Sequence, residues 1–308
     1  MYKTKNYLVY VLIELVGSLL NNLIIKIYVK TRYNEYFVKP NHLSEIDKKT
    51  IISEMKVLAV ANICAVGINS TDSMIISKFV GLEALANYSN YLLIAGALYT
   101  LTGHLINGVV PSLGNFLNSK SINDSQLIYG TYDFICQCVG SLFFVGVFLM
   151  IRPTIIFLFG SQFYLGSITV FLISFNYFLN IIFTPINNFV LIKGLFKQKR
   201  KCDFIQVVLN IILSLLFVNI IGMNGVFLGT TISIIISKVT LLILVYESYL
   251  NIQVKEALKK ISYCLIYTFV KLSFFLIIFE YFLPQSNSLL SIFTHALIIL
   301  IFSFVLDY

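Results

Sequence analysis

Charge is what this sequence has least of. Only 12% of its 308 residues are Asp, Glu, Lys or Arg, against 58% hydrophobic. A soluble domain of this length needs far more charge to cover its surface, so a soluble globular fold is excluded. Enzyme signatures are missing as well. There is no paired-carboxylate site, nucleophile elbow, HExxH motif or glycine-rich phosphate loop, and the loops are too short to house a catalytic domain. The chain is not expected to be an enzyme or to hold a metal. Cysteine offers no framework either: Cys64, Cys136, Cys138, Cys202 and Cys264 fall in or beside apolar runs, with neither disulfide nor metal-site spacing. They read as small buried hydrophobes.

What is present is apolar length. The mean hydropathy is +0.88, and the apolar residues come in runs long enough to cross a bilayer as helices. The fold class that follows is all-α: a polytopic membrane protein of about nine transmembrane helices. They are expected near 7–27, 56–79, 86–110, 128–151, 165–191, 204–221, 225–246, 262–282 and 288–306, the fifth kinked near Pro185. Residues 7–20 resemble a signal-peptide core, but the apolar run continues to Ile27 without a cleavage site, so they read as the first span.

The net charge of +8 raises nucleic acid as a partner only in a soluble protein. Here the basic residues sit between apolar runs. The loops 28–55, 111–127, 192–203 and 247–261 hold most of them, Lys197, Lys199, Arg200 and Lys201 lying close together in one. The opposite side has Lys3, Lys5, Lys78 and Arg152. The positive-inside rule makes the basic side cytoplasmic, with the N-terminus outside and the C-terminus inside. The stretch 249–263 alternates apolar and basic residues, as either an interfacial helix or an ordinary basic loop would.

Polar residues inside the spans fall on helix faces, at i, i+4, i+7 spacings. The stripes are Glu14, Ser18 and Asn21; Asn62, Asn69 and Ser73, with Asp72 about a quarter-turn away; Thr100, His104 and Asn107; Asn176, Asn180, Thr184 and Asn187; and Gln206, Asn210 and Ser214. One stripe is ordinary interhelical glue. Five suggest helices facing a shared hydrated cavity, because intramembrane polar groups are expensive. Gly225, Gly229, Ser233 and Ser237 form a small-residue ridge suited to close packing. Among charges at depth, Lys238 lies mid-span beside Ser237, and Lys271 needs a partner or a water path. Asp72 either serves transport or pairs structurally, six residues before Lys78 being poor spacing for a pair.

The stretch NICAVGINSTDSMIISKFVGLEALANYSNYLLI (62–94) resembles the seventh helix and following turn of bacterial polysaccharide flippases of the Wzx type. These belong to the multidrug/oligosaccharidyl-lipid/polysaccharide exporter superfamily, whose fold is MATE-like. The resemblance rests on Thr71-Asp72-Ser73, Gly81-Leu82 and Tyr88-Ser89-Asn90 in that order. NGVVPSLGNF (107–116), INNFVLIKGLFKQKRKCDFIQVVLNIILSLLF (186–217) and IGMNGVFLGTTIS (221–233) are similar to later parts of the family pattern.

The resemblance implies three regions. Residues 1–55 are the last helix of the first lobe and a cytoplasmic linker; 56–246 are a six-helix second lobe; 247–308 are an interfacial segment and two peripheral helices. The chain then corresponds to the sixth to fourteenth helices of a fourteen-helix transporter and lacks about five. The implied activity is translocation of undecaprenyl-diphosphate-linked oligosaccharide repeat units for capsule, O-antigen or similar polymer across the bacterial cytoplasmic membrane. Possible coupling is to H+ or Na+, and the partners are membrane lipids, a polymerase and other polysaccharide-assembly proteins. A cation-coupled drug or metabolite exporter, or an inactive remnant, are the alternatives. The residues expected to line the cavity are Glu14, Asn62, Asn69, Asp72, Thr100, His104, Asn107, Asn176, Asn180, Asn210 and Lys238, with Lys238 drawing the diphosphate.

Overall fold

The computed structural model describes residues 7–33, 44–119, 122–246, 253–281 and 288–307. Eleven α-helices are described: α1 (Tyr7–Arg32), α2 (Glu45–Phe79), α3 (Leu82–Asn107), α4 (Val110–Ser119), α5 (Ile122–Leu158), α6 (Ser167–Ile182), α7 (Thr184–Ile192), α8 (Phe196–Ile221), α9 (Met223–Val245), α10 (Val254–Tyr281) and α11 (Leu289–Asp307). No strand occurs among the described residues. Helices follow from the sequence because a bilayer offers the backbone no hydrogen-bond partner, and a helix satisfies its own N–H and C=O groups.

Eight helical stretches among the described residues are long and apolar enough to cross a membrane: α1, α3 with α4, α5, α6 with α7, α8, α9, α10 and α11. The protein is therefore an all-α, multi-pass membrane protein. The span expected at 56–79 lies in α2, some of whose side chains lie outside the described residues.

The chain divides into two compact units, Met1–Met55 and Lys56–Tyr308. In the first, α1 presents large apolar side chains such as Ile13, Leu15 and Ile25 on all sides. In the second, α5 packs against α3, α6, α10 and α11, while α9 packs against α6 and most closely against α8. Phe144, Phe171, Phe175 and Phe178 form a ring cluster between α5 and α6, joined by Phe269 of α10. Each such pair contributes about 0.5–1.5 kcal/mol beyond area burial. Outside, Leu105, Ile220 and Phe304 are more than 70% exposed, as lipid-facing residues are.

Prolines set two breaks. Pro185 has no N–H for the Ile181 carbonyl, and the helix divides at Phe183 into α6 and α7. The Thr184 hydroxyl donates instead to the Asn180 carbonyl at 3.0 Å. Pro111 likewise denies the Asn107 carbonyl a donor, where α3 gives way to α4. Across these two breaks the Asn188 amide donates to Asn107 Oδ1 at 3.0 Å and to the Tyr132 hydroxyl at 2.8 Å.

The α8–α9 hairpin turns at Gly222, whose φ of 60° an L side chain rarely adopts. The ridge read in the sequence faces α8: Gly225, Gly229, Ser233 and Ser237 are all buried, and Ser237 donates to the Cys202 carbonyl at 2.9 Å. α10 runs unbroken from Val254, so residues 254–263 are its first turns rather than a separate interfacial helix. Lys271, fully buried, finds its partner on the next helix, at the end of α11. Its ammonium lies 2.9 Å from both Asp307 carboxylate oxygens and 3.2 Å from Ser141 Oγ, tying α10, α11 and α5 together.

Candidate functional site

α8 is amphipathic in the membrane sense, polar inward and apolar outward. Gln206, Asn210 and Ser214, spaced by four, are each at most 3% exposed, while Ile212, Leu216 and Ile220 face out. Beside this stripe α9 offers Val226 and Thr230, also one turn apart, and α2 brings in Asp72, only 8% exposed.

The three helices meet at the Asp72 carboxylate. The Thr230 hydroxyl lies 2.9 Å from both carboxylate oxygens. Asn210 Nδ2 donates to Thr230 Oγ1 at 2.8 Å and reaches Asp72 Oδ1 at 3.4 Å. Thr230 Oγ1 is also 3.1 Å from the Val226 carbonyl, and Ser214 Oγ donates to the same carbonyl at 3.2 Å. The proton count is short. Thr230 has one hydroxyl hydrogen for three acceptor oxygens, two on Asp72 and one on Val226, and a carboxylate has about four lone-pair positions to satisfy. No Lys, Arg or His among the described residues pairs with Asp72. Lys78, its nearest candidate in sequence, lies over the Phe79 ring instead. Asn210 Oδ1 is buried without a partner, as is Gln206 Oε1. A buried negative charge and an orphaned carbonyl oxygen thus sit side by side, each costing about 1–3 kcal/mol or more until satisfied.

One added cation resolves both deficits. A half-turn of the Asn210 amide exchanges Nδ2 for Oδ1 and sets that oxygen against Asp72 and Thr230. A proton on Asp72 can then be donated to Oδ1. A small alkali cation can be ligated by Asp72, Asn210, Thr230, Ser214 and the Val226 carbonyl, an all-oxygen set carrying one charge. No cluster of three or more His, Cys, Asp or Glu occurs among the described residues.

Asp72 opens onto a cavity of about 120 Å³, lined also by Tyr88, Asn176, Tyr177, Asn180 and Thr230 on its polar side. That is room for several waters. Asn176 is fixed at both ends, donating to the Phe227 carbonyl at 3.1 Å and accepting from Thr231 at 2.7 Å. Asn180 donates to the Asn176 carbonyl at 2.9 Å.

Of the residues expected at the cavity, the structure gathers Asp72, Asn176, Asn180 and Asn210 in this region. Asn107 joins the separate Asn188–Tyr132 cluster. Thr100 and His104 are exposed on α3, the Thr100 hydroxyl being turned back to the Gly96 carbonyl. Glu14 is exposed on α1, in the other unit. The side chains of Asn62 and Asn69 lie outside the described residues.

Lys238 is buried in a cluster of its own. Its ammonium is 3.6 Å from Asp203 Oδ1 and 3.4 Å from Asn187 Oδ1, while Lys199 holds Asp203 Oδ2 at 2.6 Å. It does not line the Asp72 cavity. Two ammonium groups share one carboxylate, so Asp203→Asn is expected to cost about 3–5 kcal/mol by leaving Lys238 buried and unpaired. Asp203→Asn combined with Lys238→Met should recover most of that loss. Thermal unfolding of the detergent-solubilised protein measures both.

The sequence stripes did not include Thr230, Tyr88, Tyr177 or Asp203. Thr230 and Thr231 were the available signal, two hydroxyls beside a ridge of glycine and serine. For Asp203 it was the i, i+4 spacing from Lys199. Compared with protein-family models, with curated proteins and with solved structures, the chain matches none.

Proposed function

We propose that this chain is a cation-coupled flippase, moving undecaprenyl-diphosphate-linked oligosaccharide repeat units across the bacterial cytoplasmic membrane for surface polysaccharide, with its C-terminus cytoplasmic. The observation that carries the reading is the Asp72 carboxylate, buried where three helices meet, without a cation partner among the described residues and beside an orphaned amide oxygen. A cation there draws α2, α8 and α9 together. Its departure leaves an uncompensated charge that favours their separation. That difference is what lets ion binding bias one conformation over another.

The amides of Asn176 and Asn180 and the hydroxyls of Tyr88 and Tyr177 beside that charge suit sugar hydroxyls, while the lipid tail stays in the bilayer. The Lys199–Asp203–Lys238 cluster carries one net positive charge and, with Lys197, Arg200 and Lys201 nearby in sequence, attracts a diphosphate to the cytoplasmic end.

A second reading has its own observation. A carboxylate flanked by Tyr88, Tyr177 and Phe227 also suits an organic cation, the cargo of a drug or metabolite exporter. Deleting the gene in its host separates the two. The flippase reading expects loss of surface polysaccharide with unchanged drug sensitivity. Intact polymer with raised drug sensitivity selects the exporter.

A further inference from the structure

A groove between α5, α10 and α11 lies apart from the Asp72 cavity. Asp133, Gln137, Lys260 and Tyr263 border a space of about 550 Å³ at its mouth. A second space of about 460 Å³ shares Phe134, Cys138 and Asp307 with the first and is otherwise walled by apolar residues such as Leu142, Leu300 and Phe304. The mouth is formed by the start of α5, the start of α10 and the end of α11. By the distribution of basic residues, this is the cytoplasmic end.

Two charges at the mouth are unspent. Asp307 is not one of them: Lys271 and the Tyr267 hydroxyl, at 2.9 and 2.7 Å, occupy it. Asp133 accepts from Gln137 through Oδ2 at 2.9 Å, and its Oδ1 has no donor among the described residues. Lys260 comes within 4 Å of no carboxylate among the described residues, though its charge acts on Asp133. A cation and an anion are thus held facing one groove, near enough to feel each other and too far apart to pair.

From this geometry we infer that the groove binds one glycerophospholipid of the inner leaflet whose headgroup carries both a phosphate and a primary ammonium, as phosphatidylethanolamine does. The phosphate takes Lys260, the ammonium takes Asp133, and an acyl chain lies along Phe134, Leu142, Leu300 and Phe304. A zwitterion spans the gap between the two charges. An anionic headgroup such as that of phosphatidylglycerol satisfies Lys260 but offers Asp133 a neutral hydroxyl in place of an ammonium.

The test is native mass spectrometry of the full chain, stripped of lipid and titrated with phosphatidylethanolamine or phosphatidylglycerol. Wild type should bind one phosphatidylethanolamine at least about tenfold more tightly than phosphatidylglycerol, the worth of one charge-assisted hydrogen bond. Asp133→Asn should bind the two lipids alike. Lys260→Gln should bind phosphatidylethanolamine roughly tenfold more weakly, whereas Lys255→Gln, on the same basic stretch, should match wild type. A wild type without preference, a wild type preferring phosphatidylglycerol, or an Asp133→Asn variant that keeps the preference overturns the assignment.

Discussion

In sodium-free buffer, Asp72→Asn is expected to melt at or above the wild-type temperature, and added sodium should then raise the melting temperature of the wild type alone. The first half follows from burial. A carboxylate at 8% exposure, with no cationic partner among the described residues, is a cost to the folded protein, and the amide removes the charge while keeping its shape. The second half is linkage. A ligand that binds only the folded protein stabilises it by ~2.7 kcal/mol at 100 times its Kd, and Asp72→Asn has lost the charged ligand of the site. Asn210→Leu should weaken the sodium effect without abolishing it, because it removes the orphaned oxygen but leaves the carboxylate. A wild type indifferent to sodium but stabilised as pH falls in this series assigns the coupling to a proton instead. Equal sodium responses in wild type and Asp72→Asn remove Asp72 from the site.

The second large effect concerns the α8–α9 hairpin. Gly225→Ala or Gly229→Ala is expected to destabilise the protein by about 3 kcal/mol, and the double substitution to prevent its accumulation in the membrane. A Cβ at Gly225 would overlap the Phe217 carbonyl group. One at Gly229 would stand 2.6 Å from the Ser214 nitrogen and 2.7 Å from its hydroxyl. The obstructing atoms are mostly backbone, which cannot swing aside as a side chain can, so the helices must separate. Separation has a second consequence. Ser214 and Asn210 on α8 and Val226 and Thr230 on α9 are the facing halves of the Asp72 cluster, so a well-expressed Gly229→Ala protein should also lose its sodium response. Gly146→Ala, with nothing within 4 Å of the added atom, is the control. Fluorescence-detected gel filtration reads accumulation and thermal stability together.

Much of the architecture was legible in the sequence because lipid imposes a simple rule, that the backbone must satisfy itself along apolar length. The spans, the break at Pro185 and the small-residue ridge on α9 all follow from local pattern. The Asp72 site was only partly legible. Asp72 and Asn210 stood out as polar groups at depth, and their stripes gave the faces. That these two faces meet is a matter of which helix packs beside which, and no spacing encodes it. The Val226 carbonyl carries no side-chain signal, and Thr230 lay beside a ridge whose glycines already explained that region as packing. The partner of Lys271 shows the same limit. Asp307 lies 36 residues away, on a helix that joins α10 only through the fold.

The groove and the Asp72 cluster place different demands on the second unit. Around Asp72, oxygen donors crowd together and want a cation. At the groove, opposite charges are held apart and want a bridging headgroup. Both depend on side chains whose hydrogen-bonding capacity the protein leaves unfilled.

The most direct measurement is translocation itself. The chain is reconstituted in liposomes with a fluorescent, diphosphate-linked oligosaccharide lipid, and exposure of the sugar on the opposite leaflet is followed under an imposed sodium or proton gradient. Wild-type protein should move the lipid under one of the gradients, and Asp72→Asn should be slower by at least about tenfold, the kinetic equivalent of 1.4 kcal/mol. Translocation by wild type no faster than in protein-free liposomes, or as fast with Asp72→Asn as without it, would contradict the account.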